Sequence, residues 1–172
     1  MARRQGDYRR AAALLEEGLA LARHVGDTFN IPILQYALAN VSFHHGDHER
    51  AAALYRDSLV LRRDIGDKAG LADCLEGLAG VACARGRYNQ AARILGAADA
   101  LREATGYQLS AVEQSDHDER MASTRAALGE KSFDAAWTKG RTMTLEHAIE
   151  CALNGTEEPP SKGALSGGSD GI

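Results

Sequence analysis

Residues 6–26, GDYRRAAALLEEGLALARHVG, are echoed by residues 46–66, GDHERAAALYRDSLVLRRDIG, and by residues 86–106, GRYNQAARILGAADALREATG. An offset of 40 carries Gly6 onto Gly46 and Gly86, Ala11 and Ala12 onto Ala51 and Ala52 and then Ala91 and Ala92, and Leu14 onto Leu54 and Ile94. The same offset carries Leu21 onto Leu61 and Leu101, and Gly26 onto Gly66 and Gly106. Between these blocks Ile31 falls on Leu71, Leu38 on Leu78, Ala39 on Ala79 and Val41 on Val81. So many agreements at one offset mark an internal repeat, in which each unit buries its apolar face only against its neighbours.

Each unit reads as two helices. Ile31, Leu34, Leu38, Val41 and His45 step by three and four, which places them on one helical face. Asn30 is a candidate N-cap, and Pro32 is tolerated in a first turn, where its missing N–H has no helical partner. Gly46 ends that helix and Asp47 caps the next, which carries Ala51, Leu54, Tyr55, Ser58, Leu59 and Ile65 before Gly66 and Asp67 close it. The pattern restarts at Leu71, Cys74, Leu75 and Leu78. Alanine and leucine supply most of the apolar content and aromatics only 5%, a balance that favours close helix packing over sheet.

The order of sizes within a unit carries a resemblance. Leu38-Ala39 and Leu78-Ala79 precede a turn glycine, an alanine follows that glycine by five, and then come a large apolar residue (Tyr55, Leu95) and a small one (Ser58, Ala98). This series resembles the tetratricopeptide signature in a long variant. The expected fold is all-α, a tetratricopeptide-like α-solenoid of antiparallel helix pairs with a C-terminal helical cap. Residues 1–106 would be the repeats, with the first unit incomplete, residues 107–153 the capping helices, and residues 154–172 a disordered tail rich in Gly, Ser, Glu and Pro.

The first unit lacks the antiparallel partner of its second helix. Leu14, Leu15, Leu19 and Leu21 then face no companion, and each leucine left exposed forgoes about 1.5–3 kcal/mol. Such a helix should fray or be covered, and self-association through it is one expectation. At the other end the positions matching Leu38 and Val41 are Asp118 and Met121, so the core pattern stops. The cap is expected to sit over the end of the stack with Trp137 as its main anchor, alongside Phe133 and Ala136, and with Thr144 capping a last helix of Leu145, Ala148, Ile149 and Leu153.

The segment from Leu95 to Glu103, with Leu128-Gly129-Glu130, Phe133 to Trp137, Gly140-Arg141 and Leu145 to Ala148, resembles the C-terminal region of bacterial, especially actinobacterial, LuxR-type transcriptional regulators and related predicted ATPases. That resemblance implies a docking part of a larger regulator, with ATP and DNA binding in other modules. Neither a G-x-x-x-x-G-K-[ST] loop nor a helix-turn-helix is recognisable here.

A net charge of −4 argues against a broad phosphate-binding face, and Arg3, Arg4, Arg9 and Arg10 read as a solvated helix face, so no direct nucleic-acid contact is expected. Cys74, Cys83 and Cys151 have no C-x-x-C spacing and read as reduced thiols in a cytoplasmic protein. No apolar run approaches the roughly 20 residues of a membrane span. His44, His45 and His48 straddle a turn without a completing ligand, and Cys83 with His44 lacks an oxyanion site, so neither metal binding, cofactor nor catalysis is expected. Asp116, Asp118 and Glu119 read as a wet helix face.

What remains is a concave groove. In tetratricopeptide stacks the first helix of each unit lines it, which nominates Ile33, Tyr36, Asn40 and Phe43, then Asp73, Glu76, Gly80 and Cys83, as partner-binding residues. The groove would suit a protein or peptide, or other modules of a parent regulator, and it is expected to lack arginines and lysines. A small-molecule effector in the same groove is the alternative.

Overall fold

The computed structural model describes residues 2–154, with side chains from Asp7 onward. The expected tail lies, beyond Asn154, outside the described residues, as do the side chains of Arg3 and Arg4. Eight helices follow in order among the described residues: α1 (Ala2–Val25), α2 (Asn30–His44), α3 (His48–Ile65), α4 (Lys68–Ala84), α5 (Tyr88–Thr105), α6 (Ala111–Leu128), α7 (Glu130–Arg141) and α8 (Leu145–Asn154).

Glycine punctuates the chain at a regular interval. Gly26, Gly46, Gly66, Gly86 and Gly106 all have φ between 69° and 89°, a left-handed conformation that costs a residue without Cβ least. The aspartates that follow three of them start the next helix: Asp47 accepts from the Arg50 amide at 3.1 Å and Asp67 from the Gly70 amide at 2.9 Å. Asn30 is not the cap of α2. Asp27 takes that role, accepting from the Asn30 backbone N–H at 3.0 Å and from its side-chain amide at 2.6 Å. The reason is the turn geometry, which sets the aspartate three residues ahead of the amide it satisfies, as at Asp47 and Asp67.

The pairs are antiparallel. Tyr55 donates to the Asn40 side chain at 2.5 Å and Ser58 to the Pro32 carbonyl at 2.7 Å, so α3 runs back along α2. Ser58 Oγ also accepts from Arg62 Nε at 3.1 Å and sits 3.3 Å from the Cys74 thiol, so this buried hydroxyl is fully employed. The core lies in the two central units, where Tyr55, Leu59, Leu71, Leu75, Ile94 and Leu95 are buried and Ala39, Ala79, Ala91 and Ala98 let the helices approach.

The C-terminal helices depart from a simple end cap. α7 packs directly on α5 through two glycines: a Cβ on Gly96 would collide with the Trp137 carbonyl, and one on Gly140 with the Arg93 carbonyl. Phe133, wholly buried, anchors α7 beside Ala92 and Ala136. Trp137 is not the main anchor. It is half-buried; its indole N–H donates to Asp99 Oδ2 at 3.0 Å and Arg141 lies over its ring at 4.9 Å. α8 is capped by Thr144, whose Oγ1 accepts from the His147 amide at 3.2 Å, and buries Ala148 and Ile149.

α6, started by a capping box between Ser110 and Glu113, does not close the end of the stack. Glu76 faces His117 and Cys83 faces Thr124, both 41 residues apart, so α6 runs beside α4 in the same direction. It holds the place of a further first-type helix, while α7 has closed in on α5.

At the opposite end α1 is one continuous helix rather than a frayed one, held by Leu19 and Ala22 against α2. Leu14, Leu21 and Val25 on its outer side and Phe29 in the following turn are 61–66% exposed. Their repeat equivalents Leu54 and Leu101 are packed against the core and Ile94 is buried.

Candidate functional site

The floor of the groove is α4 and its walls are α2 and α6. One cavity of about 220 Å³ is lined by Tyr36 and Asn40 of α2, Asp73 and Glu76 of α4, and Asp116 and Arg120 of α6, among others. A second, of about 410 Å³, continues it along Phe43 and His44, Gly80 and Cys83, Tyr88, and Asp116, Glu119, Arg120 and Ser123. Seven of the residues nominated from the sequence line these two cavities. Ile33 lines neither; it is 40% exposed on α2.

The second wall, α6, is not among the positions nominated from the sequence. Asp116 is half-buried against the groove, Glu119 borders the larger cavity while staying exposed, and Asp118 lies outside, paired with Gln114 at 2.8 Å. Arg120 contradicts the expectation of a groove without arginine. The signal was available: the offset that takes Tyr36, Asn40 and Phe43 to Glu76, Gly80 and Cys83 takes them onward to Asp116, Arg120 and Ser123. The core positions had lost the repeat, but the groove positions kept its register.

Arg120 is seated by the glycine below it. A Cβ on Gly80 would lie 2.9 Å from Arg120 Nε and 3.3 Å from Phe43, and the guanidinium lies 5.8 Å from the Phe43 ring centre. Its Nη1 donates to Glu76 Oε1 at 3.0 Å. The other Glu76 oxygen accepts from Arg102 Nη2 at 3.0 Å and meets His117 Nδ1 at 3.0 Å. His117 Nε2 lies 3.5 Å from Asp99, which also takes Arg102 Nη1 at 3.3 Å and the Trp137 indole. Four helices are thus tied through one buried cluster.

The electrostatics follow from those distances. Burial by itself pushes the Glu76 carboxyl up, yet the hydrogen bond and charge of His117, with Arg102 and Arg120, outweigh it and hold the group at about 2. His117 is raised from its ordinary value, first by its hydrogen bond to Glu76, against the opposing effect of burial. A doubly protonated ring suits a site with a carboxylate at each nitrogen. Asp73 differs: burial lifts it to about 6, with Arg102 and Arg62 opposing.

The histidines of the turn are engaged with aromatic rings. His45 stacks on Tyr8 at 6.0 Å, and His44 and His48 flank Phe43 at 5.8 and 5.0 Å. Among the described residues no group of three metal-ligating side chains converges. Cys83 and His44 line the same cavity, but the thiol pairs with Thr124 Oγ1 at 3.1 Å and burial raises it, which disfavours the thiolate a nucleophile needs.

Paired antiparallel helices, glycine turns at a fixed interval and a groove formed by the first helix of each unit now stand together with one comparison. A family model described as a tetratricopeptide repeat matches residues 1–28, which run through α1 to the turn before α2. The fold is a tetratricopeptide-like helical solenoid. No curated protein and no solved structure matches the chain. Tetratricopeptide repeats generally mediate protein–protein interaction, and among the described residues no helix is long and apolar enough to cross a membrane.

Proposed function

We propose that this chain is a non-catalytic docking module that holds a protein or peptide, or another module of a parent regulator, in the groove between α2, α4 and α6. The observation that supports it is the groove itself: side chains from three successive first-type helices share one continuous concavity. The closing motifs from Leu128 to Ala148 favour a LuxR-type or predicted-ATPase regulator as the parent, with the chain acting by binding and placed in the cytoplasm. Peptides selected against the full chain test this. Affinity should fall about tenfold in Tyr36→Ala and Phe43→Ala, the loss expected at a buried aromatic anchor. Binding indifferent to both changes, or turnover of a nucleotide or peptide bond by the purified chain, overturns the reading.

A second reading rests on the larger cavity, whose volume of about 410 Å³ is of small-ligand size. An effector bound there raises the melting temperature without a protein partner, and a thermal-shift screen separates the two. The apolar side of α1 is the surface proposed for self-association, since Leu54, Ile94 and Leu101, which match Leu14 and Leu21, pack in or against the core, although Ile65, which matches Val25, is 45% exposed.

A further inference from the structure

The groove carries charges of two kinds. Glu76, Arg102 and Arg120 are spent on one another. Among the described residues Asp73 on the floor and Asp116 on the wall find no ion-pair or hydrogen-bond partner, and Asp116 borders both cavities. Nearby cations are already committed: Arg62 to Asp67 at 2.9 Å, and Arg102 to Glu76 and Asp99. Glu119 adds a further carboxylate to the wall of the larger cavity, where Phe43 and Tyr88 present rings.

We infer that the partner is a basic peptide segment, whose lysine or arginine side chains pair with Asp73 and Asp116 while its apolar side chains rest against Phe43 and Tyr88. The inference rests on the docking reading above and names the chemistry of its partner. A half-buried carboxylate that no cation contacts directly holds a partly desolvated charge, and an incoming cation adds attraction that water no longer supplies. An acidic ligand or nucleic-acid backbone meets repulsion at the same positions.

The inference has a pH signature. Asp73 is surrounded by Tyr36 from α2, Arg62 and Asp67 from α3 and the turn after it, Arg102 from α5, and Tyr107 and Glu113 from the approach to and start of α6. Burial, with Glu113 and Asp67, raises Asp73 to about 6 against the pull of Arg102 and Arg62. A bound cation favours the ionised form, so binding tightens as pH rises through that value and levels off above it.

The test sorts a randomised twelve-residue peptide library on the full chain and titrates the recovered peptides into Asp73→Asn, Asp116→Asn and Phe43→Ala variants. Circular dichroism melts confirm the fold of each. The expected result is enrichment of lysine and arginine beside leucine or aromatic residues. About tenfold weaker binding is expected in either aspartate variant, with a pH dependence that vanishes in Asp73→Asn. Asp116 lies at the groove surface, so its variant keeps the test open should Asp73→Asn misfold. Neutral or acidic peptides that depend on Phe43 but on neither aspartate overturn the inference and leave the docking reading standing. Peptides indifferent to all three changes, or none recovered, overturn both. If Asp116→Asn instead dissolves a self-associated chain, the groove is an interface between copies and the inference fails.

Discussion

Glu76 of α4 and His117 of α6 meet at 3.0 Å although 41 residues separate them, inside a cluster that removes both from water. Arg102 and Arg120 complete the coordination of the same carboxylate. The contact joins the floor of the groove to its α6 wall. α6 buries little else besides His117 and Thr124, so its attachment depends on this polar set more than on apolar area.

Replacing Glu76 by Gln leaves Arg120 without its anion and Arg102 with Asp99 alone. Losing one member of a buried ion pair costs about 3–5 kcal/mol. Urea denaturation of Glu76→Gln should show a loss of that size, and hydrogen exchange should show the amides of α6 opening before those of α3 and α4. An unchanged midpoint refutes the assignment.

The pH dependence has a definite sign. His117 is raised in the fold, so its contribution is complete below the ordinary histidine value and fades as pH rises through the raised one. Asp73, lifted to about 6, acts in the same sense: protonation favours the fold, and stability declines as pH climbs from the ordinary carboxyl range up to that value and levels off above it. Glu76, held at about 2, works oppositely but only in strong acid, where its contribution is lost as pH falls toward that value. Stability measured from pH 5 to pH 8 should therefore fall, and His117→Gln with Asp73→Asn should flatten the profile.

Two glycine substitutions should differ in sign. Alanine is the better helix former, worth about 0.5–1 kcal/mol over glycine at an open helical position. Gly18 has only Leu34 methyls near, at 3.7 Å and beyond, so Gly18→Ala should stabilise by that amount. Gly140 faces the Arg93 backbone, which has no side-chain freedom with which to yield. Gly140→Ala should cost about 1–3 kcal/mol or more and shift Trp137 fluorescence as α7 lifts from α5.

The outer side of α1 should drive association. Sedimentation velocity over a concentration series is expected to reveal a larger species that Leu14→Lys with Leu21→Lys removes. A wild-type chain that stays monomeric throughout contradicts the proposal.

The repeat was legible because its turns and core obey one period. Gly26 through Gly106 stop helices, and Leu38, Leu59, Leu75 and Leu95 fill the core, so apolar spacing alone recovers five helices and their pairing. α6 was legible as a helix but not as a wall. Its contacts are made by His117, Arg120 and Thr124, and a hydrophobic pattern has nothing to say about ionic side chains that find partners across 41 residues. Phe133 is wholly buried whereas Trp137 stays half-buried, its indole N–H held by Asp99 and its ring packed against both apolar clusters. The cap of α2 was misassigned because Asn30 and Asp27 bond each other, and only the backbone shows which accepts.

The evenly spaced left-handed glycines have a consequence for biosynthesis. Each closes a hairpin whose contacts lie within a few dozen residues along the chain, and such short-range wiring is the kind that forms quickly and in order. Once Gly66 has emerged from the ribosome, α2 and α3 are both free to zip together before α4 follows them out. The helix that must wait is α4, because its ionised glutamate finds no counter-ion until α5 and α6 emerge.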